Sequence, residues 1–164
     1  MTANHILITG LSGVGKTSVV HELRRRGIRC VDMDEPGWSS MDSMGHQHWN
    51  VERLGCALAE AAHDTLVVSG CAEEQASFYP DFRLIILLSA PRQVMMERIR
   101  SRSNNRYGQN PEEMAHILPD LDRIEPLLRQ KCTHELKTTV PVRIVADRIL
   151  HQIGSCRLAN SETF

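Results

Sequence analysis

Gly10-Leu11-Ser12-Gly13-Val14-Gly15-Lys16-Thr17 is the stretch on which the fold of this chain turns. It satisfies the pattern G-x-x-x-x-G-K-[ST] in full. A short β-branched run, Ile6-Leu7-Ile8-Thr9, precedes it, and in the segment that follows, Lys16 to Arg26, the residues Val19, Val20 and Leu23 recur at helical spacing. Strand, glycine loop and helix in that order make a P-loop. Its glycines let successive backbone N–H groups turn toward phosphate oxygens, and the N-terminus of the helix adds a favourable dipole. Gly10, Ser12, Gly13, Val14, Gly15, Lys16, Thr17 and Ser18 are therefore the expected nucleotide contacts. Within them Lys16 reaches the outer phosphates and the Thr17 hydroxyl ligates Mg²⁺.

Working outward, Ile28 to Val31 reads as a second strand, Thr65 to Ser69 as a third and Leu84 to Ser89 as a fourth. Glu135 to Thr139 is taken as the fifth. Between them lie helical patterns over Trp49 to His63, from Pro91 through Arg102, and from Pro111 onward with a break expected at Pro119. A last helix is expected over Pro141 to Ile153, since Val142, Val145, Ile149 and Ile153 fall on one face. Asp34 to Gln47 loses all periodicity and reads as irregular loop, and residues 154–164 read as a loose tail. Alternating strands and helices imply βαβ units, hence an α/β, three-layer P-loop fold with a five-stranded parallel sheet in a domain spanning 1–153. In such sheets ligands bind beyond the carboxyl ends of the strands, so polar residues there are the candidates for a site.

Composition narrows the function. The chain has 164 residues, 41% hydrophobic and 24% charged, the size of one globular domain with a core that needs no metal or disulfide staple. A net charge of -1 lacks the positive field of a general nucleic-acid binder or a membrane-surface protein, leaving a small molecule as the expected partner. The five cysteines are scattered without a C-x-x-C pair, and the opening residues carry no basic leader or long apolar run. Reduced thiols and a cytoplasmic location are expected, with neither nucleic acid nor membrane as partner.

The P-loop leaves open what is done with the nucleotide. The third strand ends Ser69-Gly70-Cys71 and the fourth Ser89-Ala90-Pro91, without the acidic pair of motor ATPases, and no Asn-Lys-x-Asp guanine reader is present. Asp34-Glu35-Pro36-Gly37 matches the D-x-x-G of GTP switches by letter but lies too early. ATP is accordingly the expected nucleotide. At the end of the second strand stands Asp32-Met33-Asp34-Glu35, and the helix after the fourth strand carries Arg98 and Arg102, four apart on one face, with Arg106 in the polar segment beyond.

With these elements the chain resembles the small P-loop kinases of the shikimate kinase and gluconate kinase type, relatives of the nucleoside monophosphate kinases. The resemblance implies that Asp32 helps position the magnesium shell and that Asp34 accepts or orients the proton of an acceptor hydroxyl. It further implies a lid over residues 102–112, whose Arg98, Arg102 and Arg106 close over the phosphates, and adenine near the loop from Thr139 to Val142. The acceptor-binding excursion is expected over 35–63. Of the glycine triplet that closes the third strand in shikimate kinases only Gly70 carries over, and Arg53 is the single lysine or arginine between Asp34 and Asp81. A neutral or cationic alcohol suits that scarcity of cations and the acidity of Asp34, Glu35, Asp42, Glu73 and Glu74. Trp38 and Trp49 are read either as flat pocket walls or as core packing. His46-x-His48 has metal-ligand spacing without a third ligand.

The expected function is ATP-dependent phosphoryl transfer to a small-molecule hydroxyl, with Lys16, Asp34 and Arg102 catalytic and Asp34, Trp38, Arg53 and Gly70 around the acceptor. A nucleoside monophosphate kinase and a non-catalytic nucleotide-binding regulatory module remain as alternatives.

Overall fold

A computed structural model describes residues 3–103 and 106–161, with side chains through 155. Strands β1 (Asn4–Thr9), β2 (Cys30–Asp32), β5 (Thr65–Ser69), β6 (Leu84–Ser89) and β7 (His134–Lys137) form one sheet in the order β2-β5-β1-β6-β7, every pairing parallel. A separate antiparallel hairpin joins β3 (Ser39–Met41) to β4 (Gln47–Trp49). The P-loop strand β1 is central, so the loop that leaves it opens at the carboxyl edge between β5 and β6.

In-register parallel neighbours point their side chains to the same face, which splits the sheet's apolar residues into two layers. Ile6, Ile8, Val67 and Ile86 pack with Val19 and Leu23 of α1 (Lys16–Arg25) and with Val145, Ile149 and Ile153 of α7 (Val142–Ser161). Leu7, Val31, Val68 and Ile85 pack on the opposite face with Leu54, Ala57 and Leu58 of α2 (Val51–Glu60). Strands covered on both sides must be apolar throughout, which is why β5 and β6 are legible to the residue.

The remaining helices are the short α3 (Gln75–Phe78), α4 (Arg92–Ser101), α5 (Pro111–Arg123) and α6 (Glu125–Lys131). Asn50 caps α2 by accepting the Arg53 amide at 3.0 Å, and Asn110 caps α5 by accepting the Glu113 amide at 2.8 Å.

Several expectations are corrected. The stretch from Asp34 to Gln47 is not wholly irregular: it carries β3 and reaches into β4, with Ser39 paired to Trp49 and Met41 to Gln47. A three-residue strand whose partner lies across a turn leaves no alternation to read. Helix α5 passes through Pro119 unbroken, because Met114 and Ile117 in the turns before it bury against Ile99 and hold the segment helical despite the missing donor. The break falls at Ile124, and Pro126 stands in the first turn of α6, where it costs no hydrogen bond. The expected loose tail is helical as far as Ser161: Gly154 weakens a helix without terminating it, and no proline follows. Residues 162–164 lie outside the described residues. No helix among the described residues is long and apolar enough to cross a membrane.

Candidate active site

The loop from Gly10 to Gly15 wraps a cavity of about 390 Å³ at the carboxyl edge of the sheet. Residues Ser12 to Ser18 form its floor, Asp34 and Arg102 stand at its sides, and Thr138 and Val140 from the segment after β7, with Val142 at the start of α7, close it. The first amides of α1 have no intrahelical acceptor and point at an anion placed there. Gly13 is required twice over. Its φ of 84° lies in the left-handed region, and a Cβ there would sit 2.8 Å from the Met95 carbonyl oxygen and 3.0 Å from Ile99 Cγ1. Helix α4 thus presses directly on the loop. Lys16 folds back over the loop, its Nζ donating to the Gly10 carbonyl at 2.5 Å and the Leu11 carbonyl at 3.1 Å. The long stem lets the ammonium exchange those carbonyls for phosphate oxygens.

Asp32, at the end of β2, is 1% exposed. Its Oδ2 accepts from Thr17 Oγ1 at 3.1 Å and its Oδ1 from the Asp34 amide at 3.0 Å. Burial pushes this carboxyl above its ordinary range, the Asp34 amide pulls it back, and the neighbouring Asp34 charge pushes it up again. Ser69 is Asp32's register partner in β5 and therefore shares its face; its Oγ is buried with no hydrogen-bond partner among the described residues. A hydroxyl, a buried carboxylate and an orphaned hydroxyl form an all-oxygen set suited to a hard divalent cation such as Mg²⁺. Thr17 and Asp32 are the residues that would hold it.

Asp34 is exposed to the cavity, and its Oδ1 accepts from Gln47 Nε2 at 2.8 Å. Arg102, the residue that ends α4, stands in the same cavity; its Nη2 donates to the Tyr107 carbonyl, and its Nε is buried with no partner among the described residues. Burial lowers its pKa from the usual guanidinium range, against the opposing charges of Asp34 and Glu113. Arg98 is committed elsewhere. Its Nη1 donates to Thr138 Oγ1 at 2.9 Å, to the Val14 carbonyl at 3.2 Å and to the Gly13 carbonyl at 3.3 Å, and its Nη2 donates to the Thr138 carbonyl. It lines the cavity as a staple between P-loop, α4 and the end of β7. Arg106 is exposed and does not line the cavity, and residues 104 and 105 of the expected lid lie outside the described residues.

On the acceptor side, the Arg53 guanidinium lies 4.0 Å over the half-buried Trp38 ring. Trp49 is 4% exposed and packs in the second core layer, so of its two readings the structure takes core packing. Gly70 shows why that strand ends in glycine: a Cβ would lie 2.9 Å from both Met33 Cβ and Trp49 Cζ2. Much of the acidity here is internally neutralised. Glu35 pairs with Arg24 at 2.5 Å, and His48 sits between Asp42 and Glu74, so its ring is engaged with carboxylates.

Thr138, Gln47 and Gln75 are the residues that motif reading missed. Gln75 is buried, its Oε1 accepting from Thr9 Oγ1 at 3.2 Å and from the Ala72 amide at 3.3 Å, which fastens the segment after β5 to the foot of the P-loop. None of them carried a sequence signal: Thr138 fell inside the expected fifth strand, Gln47 at the end of the aperiodic stretch, and Gln75 well past the end of the third strand.

A family model described as an AAA domain matches residues 6–119. No curated protein sequence matches the chain. Among solved structures, the shikimate kinase from Acinetobacter baumannii in complex with shikimate aligns with a TM-score of 0.67 at 22% identity, covering 96% of each chain. A gluconokinase from Sinorhizobium meliloti 1021 aligns at 0.58 and 15% identity over 97% of this chain and 95% of its own. A sugar kinase from Janibacter sp. HTCC2649 aligns at 0.56 and 18% identity over 91% and 93%. What these proteins share with this chain is the fold across nearly its whole length.

Proposed function

The chain belongs to the AAA domain family, and from that premise we propose that it is an ATP-dependent kinase that transfers the γ-phosphoryl group to a hydroxyl of a small molecule. The observation that carries this reading is the convergence of P-loop amides, Lys16, Arg102 and the exposed carboxylate of Asp34 on one cavity. A carboxylate opposite the phosphate floor suits a hydroxyl nucleophile, since an alcohol, like water, attacks poorly until its proton is drawn toward a base. Similarity of fold to shikimate kinase, gluconokinase and sugar kinase structures supports the same class.

In the proposed reaction the acceptor oxygen attacks the γ-phosphorus, the bond from that phosphorus to the β–γ bridging oxygen breaks, and ADP departs. The acceptor's proton passes toward Asp34 Oδ2. The P-loop amides and Lys16 hold the β- and γ-phosphates, and Arg102 meets the charge spread over the transferring oxygens. Mg²⁺, when bound at Thr17 and Asp32, supplies further neutralisation of phosphate charge. Because Glu35, Asp42 and Glu74 are already paired, the expectation of a neutral or cationic acceptor rests on Arg53 being the single lysine or arginine between Asp34 and Asp81.

ADP release from ATP, measured across a panel of alcohols and nucleotides, tests the reading. At least one alcohol is expected to stimulate turnover; Lys16→Ala should weaken nucleotide binding, and Asp34→Asn should keep it while lowering turnover by about 10²–10⁴-fold. The kinase reading fails if nucleotide binds, no acceptor stimulates turnover and Asp34→Asn changes nothing.

A further inference from the structure

Two side chains of β4 make contacts that the phosphate-transfer residues do not account for. Gln47 reaches the acceptor-facing carboxylate: its Nε2 donates to Asp34 Oδ1 at 2.8 Å and to Ser39 Oγ at 2.9 Å, while Ser39 Oγ donates to the Met33 carbonyl at 2.7 Å. Both N–H bonds of the amide are thereby used, and one fixes a carboxylate oxygen. Next along the strand, and on its other face, His48 lies between two carboxylates, Nδ1 at 2.6 Å from Glu74 Oε1 and Nε2 at 2.8 Å from Asp42 Oδ2. Asp42 belongs to the turn of the hairpin, where it also accepts from the Met44 and His46 amides. Glu74 belongs to the segment after β5. His48 therefore ties the hairpin to the neighbouring strand's loop.

We propose that the β3–β4 hairpin is a proton-operated clasp that aims Asp34: Gln47 is a positioning residue for that carboxylate, and the His48 imidazolium, bridging Asp42 and Glu74, holds Gln47 in place. The proposal rests on reading Asp34 as the acceptor-facing carboxylate of a kinase. An exposed aspartate samples several rotamers, and a single hydrogen bond from an anchored amide selects one while leaving Oδ2 open to an acceptor hydroxyl. Ionised carboxylates only accept, so an imidazole held by one at each nitrogen must carry both protons. Loss of either proton turns a lone pair toward a carboxylate and opens the bridge.

The titratable groups around His48 are Asp42 and His46 on the hairpin and Glu74 on the segment after β5; His46 Nδ1 lies 3.5 Å from Asp42 Oδ2. Asp42 and then Glu74 raise the pKa of His48, and Asp42 itself is held down to about 2. Glu74 is also lowered, the His48 hydrogen bond and backbone amides outweighing the upward push of its burial. Both carboxylates stay charged through the neutral range, so His48 is the group that titrates. With its folded pKa raised, the clasp is closed at lower pH and opens as pH rises through that value.

Two measurements on the intact chain test this. Nitrogen-15 NMR follows the His48 ring and the Gln47 side-chain amide from acid to alkaline pH in the wild-type protein. ATP hydrolysis, with water as the acceptor, is measured for wild type, Gln47→Leu, His48→Gln and Asp34→Asn. The Gln47 amide is expected to shift with the same midpoint as the His48 ring, above the ordinary histidine range, and His48→Gln should abolish that midpoint. Gln47→Leu should lower turnover by about 10–100-fold, the worth of one hydrogen bond to a charged group. Gln47 signals that stay flat while His48 titrates overturn the clasp. Turnover by Gln47→Leu equal to wild type, with Asp34→Asn impaired, overturns the positioning role and leaves the kinase reading standing. Wild-type turnover in both Gln47→Leu and Asp34→Asn removes that reading and the proposal with it, a failure recognisable because the NMR midpoints do not depend on turnover.

Discussion

Arg102 brings a guanidinium to the cavity with part of its hydration stripped away: its Nε is buried without a partner among the described residues, while its Nη2 donates to the Tyr107 carbonyl. A cation held in this way meets phosphate charge more strongly than a solvated one, because the medium around it screens less. Arg102→Ala is expected to lower kcat by about 10²–10³-fold with a smaller change in KM for ATP, measured in the alcohol-stimulated assay. Equal losses in kcat and kcat/KM would assign it to the transition state; a pure rise in KM would assign it to ground-state binding. Gly13 makes a prediction of the opposite kind, one of backbone sterics. Gly13→Ala places a Cβ 2.8 Å from the Met95 carbonyl oxygen at a φ of 84°, and thermal unfolding should show a loss of more than about 1 kcal/mol. Of the candidate site residues, Lys16, Thr17, Asp32 and Asp34 were legible because each stands in a motif or at a strand end. Gln47 was not, because a glutamine in an aperiodic segment has no signature until the fold brings Asp34 within 2.8 Å of it.

At the scale of elements, α2 and α1 show how differently burial and charge stabilise a helix. Leu54 of α2 is fully buried against the second face of the sheet, and Leu54→Ala should cost about 2–5 kcal/mol by urea unfolding, the transfer term plus the cavity left behind. The last turn of α1 is instead fastened by ion pairs: Glu22 to Arg25 at 2.7 Å and to Arg26 at 2.9 Å, with Arg26 paired in turn to Asp147 of α7. Hydrogen bonds from Arg25 and then Arg26 pull the Glu22 carboxyl down to about 2. A depressed acid stabilises the fold above its unfolded pKa, and that contribution fades as pH falls from about 4.5 to about 2. Glu22→Gln should therefore lower Tm at neutral pH, and the two Tm curves should converge toward pH 2. The elements most legible in the sequence were β5 and β6, buried on both faces, preceded by Asp64 and Arg83 and closed by Gly70 and by Ala90-Pro91. The hairpin escaped notice because three-residue strands are specified by their cross-strand partners, and the continuity of α5 through Pro119 because packing on Ile99 outweighs local propensity.

Across the whole molecule, Arg98 and Thr138 join parts far apart in the chain. Thr138 Oγ1 donates to the Val14 carbonyl at 2.6 Å, and Arg98 grips both Val14 and Thr138, so the P-loop, α4 and the end of β7 share one node. Arg98→Ala and Thr138→Val are expected to be non-additive, with a coupling of about 0.5–3 kcal/mol in a double-mutant cycle read by thermal unfolding and by ATP affinity. Additive effects would show that the node does not act as a unit. The succession of sheet strands and their covering helices, the parallel sheet and the phosphate-binding loop were determined by the sequence alone, since each rests on local spacing: wholly apolar runs, period-3.6 helices, and glycines at fixed offsets from Lys16. What only the tertiary structure decided is which polar side chains meet at the cavity. It drew Arg98 onto loop carbonyls, left Arg106 outside, sent Trp49 into the core, and set Gln47 on Asp34. Those outcomes depend on contacts between residues distant in the chain, whose geometry exists only once the sheet and its covering helices have packed.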